Sequence, residues 1–141
     1  MSGGLVLRLK PFEKFIVNGV VMQNGDRRST LTIRSDGASV LRMRDAIHPD
    51  EVDTPVKRLC YITQLIVAGA REPEEAVAEL LPGLTEIDRA FGHQPISERI
   101  ERVRGLIDEK NYYLALRELR NLLPIEAILL DHEPGAFRKT A

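Results

Sequence analysis

Eight cations stand in the first 44 residues, Arg8, Lys10, Lys14, Arg27, Arg28, Arg34, Arg42 and Arg44, against three carboxylates, Glu13, Asp26 and Asp36. Cations held on a small scaffold neutralise phosphate well, and each arginine adds a planar fork of N–H donors. The remaining 97 residues carry 12 basic and 18 acidic side chains, so a formal net charge of -1 hides a segment of about +5 joined to one of about -6. That asymmetry is expected where one part of a chain meets a polyanion and the rest does not.

Groups that make and break bonds are not gathered in this way. His48, His93 and His132 are isolated from one another, and there is no His-Glu-x-x-His, no Cys-x-x-Cys and no carboxylate run at calcium-loop spacing. A Gly-x-Ser-x-Gly elbow, a phosphate-cradling glycine loop and a dinucleotide fingerprint are likewise missing. Glu74-Glu75 and Asp108-Glu109 are adjacent rather than facing, which suits solvated helix termini better than an acid/base pair. The single cysteine, in Leu59-Cys60-Tyr61-Ile62, reads as a buried small apolar thiol. No catalysis, metal, cofactor or small-molecule substrate is expected.

The elements that must position the cations alternate with period two. Leu5, Leu7 and Leu9 alternate with Val6, Arg8 and Lys10 as a half-buried strand ending at Pro11. Residues 15–17 and 20–22 flank Asn18-Gly19, the pair that best tolerates the two positive φ values of a type I′ hairpin turn. Residues 30–34 and 38–43 read as two further strands, with loops at Asn24-Gly25-Asp26 and Ser35-Asp36-Gly37. If Leu7, Leu9, Leu31, Ile33, Leu41 and Met43 face inward, then Arg8, Lys10, Thr32, Arg34, Arg42 and Arg44 face outward, five cations in six positions.

After Pro49 the period lengthens. Thr54 caps a helix with Pro55 at its first position, running to Gly69 and apolar on most sides. A second helix opens at Pro73-Glu74-Glu75 and continues to about Phe91, with Pro82-Gly83 expected to kink or split it. Ser97 is expected to cap a third helix carrying Ile100, Val103 and Ile107, and residues 112–123 to return as a fourth that ends before Pro124, so that the chain closes in a helical hairpin. The tail at 132–139 should fray. The expected class is therefore α+β: a basic antiparallel β module of about five short strands over residues 1–48, then a helical portion over 49–141 packed on it as one compact domain. No segment reads as a secretory signal or a membrane span, and a cytoplasmic location is expected.

Leu7-x-Leu9-Lys10-x-x-Glu13-Lys14-Phe15-x-x-Asn18-Gly19, Gln23-Asn24-Gly25-Asp26-Arg27-Arg28, Val40-Leu41-Arg42 and Thr54-Pro55 before the apolar helix together resemble the FlbT family of flagellin regulators. The resemblance covers essentially the whole length, and the Asn-Gly-Asp-Arg-Arg string is its most specific part. It implies post-transcriptional control of flagellin synthesis through the 5′ untranslated region of flagellin mRNA, lowering translation or message lifetime, with a positive effect in some alphaproteobacteria. It also implies the small flagellar regulator FlaF as a companion. The opening strands are similar, at low specificity, to the carbon storage regulator family of interlaced RNA-binding dimers. Short strands with open edges also favour a homodimer on physical grounds.

Two functions follow. In the first, the eight cations bind RNA phosphates, with Arg27-Arg28 the leading pair unless Arg27 is taken by Asp26 or a helix carboxylate. In the second, an adaptor of flagellum assembly takes flagellin or FlaF into a groove of the helical half lined by Tyr112, Tyr113, Leu116 and Leu119, unless these residues are core.

Overall fold

The computed structural model describes residues 4–93 and 95–132. Five strands come first: β1 (Leu5–Leu9), β2 (Lys14–Val17), β3 (Val20–Gln23), β4 (Ser29–Ile33) and β5 (Val40–Arg42). Short 3-10 turns at Met43–Asp45 and Pro49–Glu51 lead into α1 (Pro55–Val67), α2 (Pro73–Phe91), α3 (Ile96–Asp108) and α4 (Tyr112–His132). The α+β class stands, with antiparallel strands preceding helices.

The strands form two layers rather than one sheet. β1 and β4 make an antiparallel ribbon with Leu7 opposite Leu31 and Arg8 opposite Thr30. β2 lies between β3 and β5, with Phe15 opposite Met22 on one side and Arg42 on the other. Asn18 (φ 50°) and Gly19 (φ 81°) take the left-handed backbone that the two-residue turn requires. Asn18 also ties the turn to the start of β5, donating its N–H to the Ser39 carbonyl at 2.8 Å and accepting the Ser39 N–H on Oδ1 at 2.9 Å.

Alternation along β2 and β5 explains the layering. Phe15 and Val40 pack with Leu7 and Leu9 beneath the ribbon, while Ile16 and Leu41 enter the main core with the helices. β2 and β5 are thus covered on both faces, while the edge strand β3 stays exposed, and β5 has no outward side. The even inside/outside division fails there: Leu41 is 2% exposed, yet Met43, past the strand end in a 3-10 turn, is 46% exposed.

α1 is central, packing on α2 and α4, and α3 closes the bundle against both. Thr54 caps α1 as its sequence position suggests, accepting the Lys57 N–H at 3.3 Å. A carboxylate distant in sequence completes this end: Glu126 accepts the Thr54 hydroxyl at 2.5 Å and the Val56 N–H at 2.9 Å. Gln64 clamps the connection from the strands, its amide donating to the Ile47 carbonyl at 3.0 Å and accepting the Ile47 N–H at 2.8 Å.

Three helix boundaries differ from expectation. α2 runs unbroken through Pro82-Gly83, held on α1 by the fully buried Leu80 and Leu84 on either side. Gly83 sits so close to Leu59 that an added Cβ would stand 2.5 Å from its Cδ2, so the missing side chain permits the contact. α4 continues through Pro124 because buried Leu122 and Glu126 anchor it on both sides. Ser97 does not cap α3, which starts at Ile96 behind Pro95; its hydroxyl donates instead to Asp88 Oδ1 at 2.6 Å, linking α3 to α2. The expected fraying of the tail falls on residues 133–139, outside the described residues apart from His132, which α4 includes.

Candidate nucleic-acid interface

Two loops meet at one end of the β module. The β1–β2 turn carries Lys10, Pro11, Phe12 and Glu13, and the β3–β4 loop carries Asn24 to Arg28. Asn24 joins them: its amide donates to the Lys10 carbonyl and to the Arg27 carbonyl, each at 2.8 Å, and its Oδ1 accepts the Ser29 hydroxyl at 2.7 Å. Backbone bonds repeat the link, from the Phe12 N–H to the Gly25 carbonyl (2.8 Å) and from the Asn24 N–H to the Glu13 carbonyl (2.9 Å). Lys10, Arg27 and Arg28 therefore stand on a hydrogen-bonded frame rather than on loose loops.

Glu13 locks the first loop. Its Oε1 accepts the Lys10 N–H at 2.9 Å, while Oε2 accepts the Arg42 Nε at 2.8 Å and lies 2.7 Å from Arg42 Nη2. The Lys10 amide, then the Arg42 guanidinium and the field of Arg44, hold this carboxyl below the usual range against the desolvation that opposes them. Arg42 also donates to the Arg8 carbonyl at 2.7 Å, so one guanidinium rivets β1, the β1–β2 turn and β5 together. Its side chain is only 13% exposed. Arg42 thus leaves the set of outward, available cations: as the partner of Phe15 on β5 it points under the ribbon.

The other seven cations remain exposed. Among the described residues, the side chains of Arg8, Lys10, Lys14, Arg27, Arg28 and Arg34 make no hydrogen bond or ion pair, and Arg44 makes only a long contact with Asp45 at 3.9 Å. Arg27 is therefore not held by Asp26 or by a helix carboxylate. Lys10, Arg27 and Arg28 come together at the latched end, Arg8 lies on the ribbon opposite Thr30, and Lys14 opens β2. Arg34 is separate: it follows β4 at the far end of the ribbon, about 20 Å from Arg28 at the strand rise of about 3.3 Å per residue.

The proposed helical groove separates differently. Leu116 and Leu119 are 1% and 0% exposed and belong to the core, since spacing of three puts both on the buried side of α4. Tyr112 and Tyr113 are half-buried at its amino terminus and pack against that core. Among the described residues, no three His, Cys, Asp or Glu side chains group as metal ligands, and no described helix is long and apolar enough to cross a membrane. Burial pushes the Cys60 thiol up to about 12, which leaves it an unreactive core group.

Sequence reading missed Asn24, Glu13 and Phe12 as organisers of the site. The turn string Gln-Asn-Gly-Asp marked Asn24 only as a loop former, because its bonds to Lys10 span 14 residues.

Comparison with known proteins gives the same chain-wide picture. The protein family described as "Flagellar protein FlbT" matches residues 5–130. A Caulobacter vibrioides (strain CB 15) protein named "Flagellum biosynthesis repressor protein FlbT" is 33% identical over 128 residues, 91% of this chain and 90% of the relative. "Probable flagellum biosynthesis repressor protein FlbT" from Mesorhizobium japonicum is 31% identical over 147 residues, covering 100% and 97% of the two chains. The protein of that name from Rhodopseudomonas palustris (strain TIE-1) is 34% identical over 129 residues, covering 90% and 98%. No solved structure matches. A match that takes in all five strands, the latched loops and nearly all of the four helices makes this chain a member of the FlbT family.

Proposed function

We propose that this chain is a regulator of flagellum biosynthesis, as its relatives' names state of them, and that it acts by binding single-stranded RNA in the 5′ untranslated region of flagellin mRNA so as to lower its translation or lifetime. One observation carries the reading: six exposed cations have no side-chain partner among the described residues, and three of them, Lys10, Arg27 and Arg28, stand on one latched frame. A protein with a helical half rich in carboxylates has partners to hand for such cations, yet these are left open. Phosphates supply the affinity in this arrangement, and sequence is read in unpaired bases. A gel shift with purified protein and a flagellin leader, with no other protein present, tests it. A retarded band that strengthens as salt is lowered is the expected result; no band at low salt would remove direct RNA contact.

An adaptor role has its own observation in the helical half. Glu72, Pro73, Val77, Leu81, Ile107 and Tyr112 line a cleft of about 570 Å³, acidic at its rim, with Leu81 37% exposed. That lining suits an apolar segment with basic flanks, and flagellin or FlaF are the candidates the family resemblance supplies. A Leu81→Asp variant that loses capture of purified FlaF or flagellin, while retaining the RNA shift, would favour this role.

A further inference from the structure

Phe12 is placed unlike any other aromatic residue described. Phe15 and Phe91 are 3% and 8% exposed, whereas Phe12 is 61% exposed. It is also one of three non-glycine residues described with positive φ, at 60°. Asn18 and Lys110, the others, are polar residues at turns, where such backbone is tolerated more readily; a bulky ring there is an outlier. The ring contributes nothing to either core. Packing therefore does not explain why an aromatic residue occupies this turn.

Its surroundings indicate a use. The Phe12 N–H donates to the Gly25 carbonyl at 2.8 Å, and its own carbonyl accepts the Gln23 side-chain amide at 3.1 Å. The backbone beneath the ring is thus fixed from both sides before any ligand arrives. Lys10 and Lys14 flank it in sequence, and Arg27 and Arg28 stand on the loop hydrogen-bonded to it. A flat exposed apolar face on the same latched loops and adjoining strand start as four cations without side-chain partners among the described residues matches a flat aromatic base between phosphates. An apolar protein segment would gain from the ring but would have to desolvate the cations around it.

We infer that Phe12 is a base-stacking platform, on which an unpaired base of single-stranded RNA lies while Lys10, Arg27 and Arg28 hold the adjacent phosphates. The inference rests on the RNA reading above and adds to it the site of base contact. Stacking is tolerant of base identity, so this site gives preference for unpaired over paired RNA rather than for one letter.

The chain contains no tryptophan, so Phe12→Trp installs a single reporter at the platform. Titration of that variant with a single-stranded oligoribonucleotide from a flagellin leader should quench its fluorescence, and the same sequence in a duplex should not. Phe12→Ala should weaken single-strand binding roughly fivefold to a hundredfold. The slope of log affinity against log salt should stay unchanged, since no phosphate contact is lost. Circular dichroism checks that both variants fold, and Phe12→Gly, which suits the positive φ, separates loss of the ring from loss of the turn: it should weaken binding as Phe12→Ala does. Wild-type affinity in Phe12→Ala, or unquenched Phe12→Trp fluorescence at saturating RNA, would overturn the platform while leaving RNA binding intact. Failure of the wild-type protein to bind RNA at all would instead overturn the reading beneath it. Loss of protein capture with wild-type RNA affinity would reassign the ring to a protein partner.

Discussion

At the scale of single residues, identical side chains in one basic segment divide into two jobs according to what their backbone faces. Arg42 is enclosed between Glu13 and the Arg8 carbonyl, whereas Arg27 and Arg28 point into solvent. Replacing Arg42 with Gln should therefore lower the thermal transition, while Arg27→Gln/Arg28→Gln should leave stability within about 0.5 kcal/mol of wild type, as is usual for exposed loop positions; differential scanning calorimetry of both variants compares them directly. Glu13 gives this clasp a pH sense. Its folded carboxyl is held below the unfolded value, so its contribution is present above about pH 4.5 and lost as the pH falls through the lower folded value. A Glu13→Gln variant should show a flatter acid limb in a pH titration of stability. Sequence alone put Arg42 among the outward cations, because strand alternation records which way a side chain points but not that a second layer covers that side.

At the scale of elements, local signals held where packing did not oppose them and failed where it did. Asn18-Gly19 declares its hairpin because a two-residue turn with positive φ is a property of those two residues. Pro82 and Pro124 speak as clearly for interruption, yet α2 and α4 continue, since packing on both sides of each proline outweighs a local preference. Gly83 records that packing. Gly83→Ala sets overpacking of about 1–3 kcal/mol against buried Leu59 against the ~1 kcal/mol of helix propensity that alanine adds, so a net loss of up to about 2 kcal/mol is expected in the urea midpoint; a raised midpoint would mean that Leu59 gives way without cost. The third element of interest is β3, every residue of which is exposed, with Val20, Val21 and Met22 at 59, 66 and 40%. An open apolar edge of this kind invites strand pairing with a second copy. Sedimentation should show self-association of the wild-type protein that Val21→Lys abolishes, and a strict wild-type monomer would refute the pairing.

At the scale of the whole molecule, the helices serve the cationic end by holding the sheet from behind. Ile16 and Leu41 place the strands in the helical core, Gln64 clamps Ile47, and Glu126 on α4 seals the start of α1. Burial raises the Glu126 carboxyl, with the Thr54 hydroxyl and Val56 N–H opposing. The folded state then holds that proton more tightly than the unfolded one, so this residue's contribution falls as pH rises from about 4.5 through the raised folded value, and Glu126→Gln should remove that decline. The switch of period near Pro49 made the two-part plan legible; the carboxylate that seals α1 was not, because Glu126 is 70 residues from Val56. Plan and charge together lead to one claim, that the latched end binds phosphates. The direct measurement is the affinity of the purified protein for a flagellin leader as a function of salt, wild type beside Arg27→Gln/Arg28→Gln. The account predicts a steep wild-type line and a variant line flatter by about 0.7 logarithmic units per lost single-strand contact, roughly 1.4 for both. Parallel lines of equal affinity would contradict it.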